Sequence, residues 1–339
     1  MWFVINPDRH LIFDIISLLL DKIVMPLMFF IAGYFSLYSI QKTNVLNFIK
    51  KRLKRLGIPL LLGLIFIAPI MVYIRHLFRN DINQNYFEYW YSTYFLKEID
   101  SVHLWFLYTL LLFTFIFAIL YYLKKDFFLN KTYGGLKLSF TKNILLSGIL
   151  ISFLFFIVNL FILDIKWITI GEFGILQPTR FVVYISLFFL GVIAFKKNFF
   201  SIYFSSDKLI LWTIFTSIIV VATLLLYYFF YPDVLTVNFL KLINAILFVY
   251  LNIGLLMMLL KLFHKYINSN AVIWRKLSKN SYTIYVIHYP FVLFLQYYML
   301  DFSFSPFIKF GIVFLISLVA SYLVSEYFIH KIPYLNNIF

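Results

Sequence analysis

Long apolar runs separated by short polar clusters set the plan of this chain. Nine of them, at about 18–40, 56–75, 103–123, 143–163, 179–195, 208–231, 240–263, 281–300 and 306–329, match the ~20 mostly apolar residues that cross hydrocarbon. The pattern predicts helices, because a helix satisfies each backbone N–H and C=O within its own segment. LLLGLIFIAPIMVYI from Leu60 and ILISFLFFIVNLFIL from Ile149 are the plainest cores, whereas the first and last runs carry acidic residues. No fixed-period repeat or internal linker breaks the series. Residues 1–339 therefore read as a single all-α domain, a polytopic transmembrane helix bundle.

Composition agrees with that plan. Of 339 residues, 63% are hydrophobic, 22% aromatic and 13% charged, too apolar for a domain surrounded by water. The net charge of +15 matters less than its placement. Lys42, Lys50, Lys51, Arg52, Lys54 and Arg55 follow the first run; Lys124, Lys125, Lys131, Lys137 and Lys142 follow the third. Lys196, Lys197 and Lys208 follow the fifth, and Lys261, Lys265, Arg275, Lys276 and Lys279 the seventh. The intervening connections hold Asp81, Glu88, Glu98, Asp100, Glu172, Asp233 and Asp301. Positively charged loops stay in the cytoplasm, so the chain is expected in a bacterial inner membrane with its C-terminus inside. The lipid bilayer, not nucleic acid, then explains the basic balance. Nine spans also place the N-terminus outside, although no leader pattern is visible. That points to N-out insertion or to a preceding helix outside this sequence. Absence of cysteine excludes disulfides, thiolate nucleophiles and Cys-ligated zinc.

Ionisable groups inside spans are costly and face a cavity or one another. Here they are Lys22, His103, Arg180, His288 and Glu326, with Asp14 and Asp21 seven apart on one face at the outer end of the first run. His103, beside Trp105, suits either an aromatic belt or a donor to substrate. Arg180 could snorkel to water, or serve an anionic substrate together with Gln177 and Glu172 of the preceding loop. His288 could be satisfied by a carbonyl that Pro290 frees, or could perform acid–base chemistry, with Tyr285 and Ser281 on its face. Glu326 and His330, four apart, suggest an interfacial ion pair. Gly33 suggests close helix approach. No HExxH, Walker, dinucleotide-binding or GxSxG pattern occurs, so no metal and no bound cofactor is expected. On these residues, transporter and membrane enzyme stay open. Pro59, Pro69 and Pro290 break spans as transporter helices are broken, but without matching halves.

Six segments carry the reading further. They are MPLMFFIAGYFS (Met25–Ser36), KKRLKRLGIPLLLG (Lys50–Gly63), HLWFLYTLLLF (His103–Phe113), GILQPTRFVVYISLFFLG (Gly174–Gly191), LSKNSYTIYVIHYPFVLF (Leu277–Phe294) and a closing SEYFIHKIPYL. In this order the chain resembles the membrane-bound acyltransferase 3 family, most of all its glucan biosynthesis protein C (glucan succinyltransferase) branch. The resemblance implies about ten helices and transfer of an acetyl- or succinyl-type group to a carbohydrate hydroxyl. The implied donor is acyl-CoA or a similar cytoplasmic thioester; the implied acceptor is an extracytoplasmic or lipid-linked glycan. It makes Lys51, Arg52 and Arg55 candidates for the donor's phosphates. His103 and His288 become candidate catalytic bases, and Trp105, Gln177, Arg180, Glu172 and Tyr285 candidate substrate contacts. The family's Ser-Gly-Phe motif reads Ala32-Gly33-Tyr34. Its Arg-to-His first helix has no counterpart in MWFVINPDRHLIFDIISLLL, which suggests a shortened form or an inactive relative. A polysaccharide or lipid-linked-sugar flippase is the alternative; oligomeric state is left open.

Overall fold

A computed structural model describes residues 3–8, 10–129, 139–170, 174–204, 208–267 and 271–339. Among them, nine helices are long and apolar enough to cross a membrane. They are α1 (Leu11–Gln41), α2 (Val45–Arg79), α3 (Val102–Leu123), α4 (Ser139–Phe161), α5 (Pro178–Lys196), α6 (Leu209–Phe230), α7 (Asn238–Tyr266), α8 (Val272–Tyr298) and α9 (Pro306–Tyr327). The all-α expectation holds, with one small addition. Two three-residue strands before α5 pair antiparallel, Ile168 opposite Leu176.

Local chemistry sets the helix ends. The Asn44 side chain accepts the Asn47 N–H at 2.8 Å and caps α2, and Asn80 closes that helix in the left-handed conformation, φ 52°. Ser305 caps α9 just ahead of Pro306, and Pro178 opens α5; neither proline is missed as a donor in a first turn. Three helix starts differ clearly from the sequence expectation: α8 begins at Val272, nine residues before the expected 281, and the other two move charged residues into helices. The first helix starts at Leu11, which puts Asp14 inside it. The second starts at Val45, so the basic run Lys50–Arg55 is helical and continuous with the span, not a loop. Asn44 outweighs the polar composition that suggested a connection.

α1 and α5 form the closest pair, running side by side in the same direction. Asp21 lies against Arg180, Phe29 against Tyr184, and Tyr34 against Phe195. That parallel course fits the charge alternation, which starts both helices at the acidic end. Small residues permit it: a Cβ on Gly33 would sit 1.9 Å from the Phe188 carbonyl oxygen, and one on Gly191 2.0 Å from that of Phe30. Two apolar cores flank the crossing. One joins Phe29, Phe113, Phe117 and Phe188; the other joins Phe30, Phe155, Leu187 and Phe248. Leu20, Val24, Phe66, Leu146, Ile218 and Phe314 point outward, as on a bundle whose solvent is lipid.

Gly33→Ala should therefore destabilise the fold by about 2 kcal/mol through overpacking. Gly311→Ala, where nothing lies within 4 Å, should be neutral. Thermal unfolding in detergent, read by size-exclusion of the survivors, compares the two.

Candidate active site

Proline shapes this site. It lacks an N–H, so within a helix it leaves the carbonyl four residues earlier without its partner. Pro290 so releases the Val286 carbonyl in the middle of α8. The His103 ring, at the start of α3, reaches that oxygen with Nε2 at 3.0 Å. Tyr285 answers by donating its hydroxyl to the His103 carbonyl at 2.6 Å. The two helices are thus clamped in both directions.

The carbonyl fixes the tautomer. A carbonyl only accepts, so His103 Nε2 carries the proton and Nδ1 keeps a lone pair. That Nδ1 is buried and has no hydrogen-bond partner. His288 donates from Nδ1 to the Tyr285 and Ile284 carbonyls at 2.8 and 3.1 Å, which leaves its Nε2 as the basic nitrogen. The freed carbonyl thus serves the opposite histidine, while His288 uses carbonyls of its own helix. The two imidazole centroids lie 5.6 Å apart, with Tyr285 and Tyr289 against His103. Ser281 is apart from this group, bonded to the Ser278 carbonyl.

An aromatic wall separates the histidines from a buried charge cluster. Trp105 stacks on Tyr184 at 5.8 Å and meets Trp167 edge-on at 5.5 Å. Arg180 lies beyond, with Nη1 2.5 Å from Asp21 and Nε 3.4 Å from Asp164. Thr179 donates to the same Asp164 oxygen at 2.9 Å, and Gln177 to the Asp164 carbonyl at 3.4 Å. Lys22, 1% exposed, lies 4.6 Å over the Phe248 ring and 5.5 Å over Tyr227. Lys22 and Arg180 balance Asp21 and Asp164, as buried charge requires. Arg180 does not snorkel; two carboxylates already occupy it, so an anion would have to displace one. Glu172 falls outside the described residues.

The basic candidates lie elsewhere. Arg55 sits over the Tyr282 ring at 5.8 Å, and the Tyr282 hydroxyl donates to the Arg55 carbonyl at 2.5 Å. Arg52 reaches the Ser36 hydroxyl at 3.4 Å, and Lys51 is exposed. Near the end of α9, Glu326 binds Asn280 at 2.9 Å and Lys279 at 3.8 Å, while His330 turns to Asn336 at 3.0 Å. The expected Glu326–His330 pair is therefore absent, because α8 offers nearer partners. Among the described residues, no group of three or more His, Asp or Glu could hold a metal.

Comparison with known proteins decides the class. The acyltransferase-3 family model, described as an acyltransferase domain, matches residues 2–326. The chain belongs to that family. Neither the curated proteins nor the solved structures gave a match. The protein is thus a membrane acyltransferase by family, with the paired histidines and the Arg180 cluster as its chief polar features.

Sequence reasoning passes over Asp164 and Tyr184. Asp164 stands one residue past an apolar run, where a carboxylate reads as a solvated loop residue. An acid at that boundary ahead of Arg180 was the available signal. Asp164→Ala should cost about 3 kcal/mol by leaving buried Lys22 and Arg180 with only the half-exposed Asp21 between them. Asp21→Ala, which removes a half-exposed carboxylate, should cost no more than about 1 kcal/mol. Thermal unfolding of both variants checks the order.

Proposed function

We propose that this protein is an O-acyltransferase that moves an acetyl- or succinyl-type group from a cytoplasmic acyl thioester to a carbohydrate hydroxyl. The observation that carries the proposal, beyond family membership, is the buried, unpartnered Nδ1 of His103, on a ring 5.6 Å from that of a second histidine. Such a lone pair suits removal of a proton from a hydroxyl, the work that acyl transfer requires.

In this reading the acceptor hydroxyl attacks the thioester carbonyl as His103 Nδ1 takes its proton. A C–O bond forms, the C–S bond breaks, and the sulfur leaves as a thiol after receiving a proton from the imidazolium. His288, whose ring centroid lies 5.6 Å away, is the proposed second carrier of that proton. Holding both reactants at one point supplies much of the rate by proximity alone. Trp105, with Gln177 and Arg180 beyond Tyr184, offers the stacking surface and polar groups that suit a sugar.

Lys51, Arg52 and Arg55 are the proposed contacts for the donor's phosphates on the cytoplasmic side. Helix α8 links that end to the histidines. Tyr282 holds Arg55, and His288 lies six residues further on, about 9 Å along the axis. The acceptor would then arrive from the acidic, outer end.

His103→Ala and Arg180→Ala should each abolish ester-linked acylation of surface glycan, with the signal normalised to each variant's membrane abundance because Arg180→Ala also leaves buried Asp164 without its guanidinium. Mass spectrometry of glycans from a deletion strain, complemented with each variant, makes the measurement. Wild-type acylation in both variants would remove these residues from the site. Loss of the whole polymer in the deletion strain, rather than of its acyl groups, would favour export instead.

A further inference from the structure

His103 follows a strained residue. Val102 has φ 45°, in the left-handed region that β-branched side chains rarely adopt. Such strain persists only where the surroundings impose it. Here the carboxylate of Asp100 accepts the Val102 N–H at 2.8 Å, and the hydroxyl of buried Tyr94 donates to the Asp100 carbonyl at 3.3 Å. The next turn starts at once, with the Leu104 N–H on the Ser101 carbonyl at 2.7 Å.

A charged clasp secures Asp100 in turn. Arg75 of α2 lies 3.8 Å from the Asp100 carboxylate and 4.0 Å from Glu98. His76 sits between two acids, with Nε2 2.7 Å from Glu98 and Nδ1 2.7 Å from Asp81. Tyr89, from the short helix 86–97, adds its hydroxyl to Glu98 at 3.1 Å. Burial pushes the Tyr89 and Tyr94 phenols up, so both remain donors. The end of α2 and helix 86–97 thus converge on Glu98 and Asp100, in the turn into α3 just ahead of His103.

We propose that Asp100 is a positioning residue, held by Arg75, which keeps Val102 left-handed and so aims the His103 ring at the Val286 carbonyl with Nδ1 free. Without the carboxylate, Val102 relaxes to negative φ and the first turn of α3 rotates. His103 then leaves its acceptor. This inference rests on His103 as the base, but the geometry can be read without catalysis.

The test uses the full chain in lipid nanodiscs. It measures deuterium uptake across residues 98–106, and transfer from radiolabelled acetyl-CoA to glycan extracted from a deletion strain. Asp100→Ala should raise uptake at 101–105 and lower kcat about 10²-fold, with KM for acetyl-CoA nearly unchanged. Asp100→Asn, which keeps an oxygen for the Val102 N–H, should retain most activity. Adding Val102→Gly to Asp100→Ala should reverse the uptake and return kcat to within about tenfold of wild type, since glycine adopts positive φ without strain. Unchanged uptake in Asp100→Ala overturns the proposal. So does a loss of kcat that Val102→Gly leaves untouched. Should the wild-type chain transfer no acetyl group, the acetyl form of the acyltransferase reading fails separately and uptake still decides the role of Asp100.

Discussion

The structure depends on one constraint: a backbone carbonyl left without its partner inside a bilayer finds no water to replace it. Proline creates such carbonyls: Pro26 frees that of Lys22 within α1, and at three further prolines the freed oxygen meets a donor from another helix. Pro59 releases the Arg55 oxygen, which receives the Tyr282 hydroxyl at 2.5 Å. Pro69 releases that of Ile65, which receives the Trp90 indole N–H at 2.8 Å. Pro290 releases that of Val286, which receives His103. In each case the donor comes from a different helix, so a local defect becomes a directional contact between helices. Widened turns of α2, at Leu53–Gly57 and Gly63–Ile67, lie just ahead of Pro59 and Pro69.

Apolar packing cannot supply that direction on its own, because lipid tails solvate leucine as well as a helix does. Close approach at Gly33 and Gly191 brings α1 to α5, and hydrogen bonds set the register elsewhere. Buried charge obeys the same logic. Arg180 and Lys22 sit with Asp21 and Asp164 where four helices meet, and neutrality makes the cluster tolerable. The aromatic wall of Trp105 and Tyr184 joins this cluster to the histidine pair. The proposed chemistry thus occupies the places where the fold needs polar groups to hold it together.

Much of this was legible before the structure. Nine apolar runs gave the bundle, since that follows from solvation and needs no packing detail. His103, His288 and Tyr285 stood out as polar groups in apolar surroundings, and they do converge. Pro290 signalled a freed carbonyl, read as a partner for His288, but no pattern in one chain names His103 as the donor across the bundle. Asp164 and Asp100 were hidden for a related reason. Each lies beside a span in a polar stretch, and its role comes from a partner far away in sequence. The Lys50–Arg55 run was misjudged as a loop, because charge reports water contact and not backbone shape.

A double-mutant cycle on Tyr282 and Pro59 tests the proline account most directly. Tyr282→Phe removes one hydroxyl and should destabilise the chain by about 1 kcal/mol, since the Arg55 carbonyl loses its partner. With Pro59→Ala, a backbone N–H returns to serve that carbonyl, and the same hydroxyl deletion should cost less than about 0.5 kcal/mol. Equal losses in the two backgrounds, measured by thermal unfolding in detergent, would contradict the account.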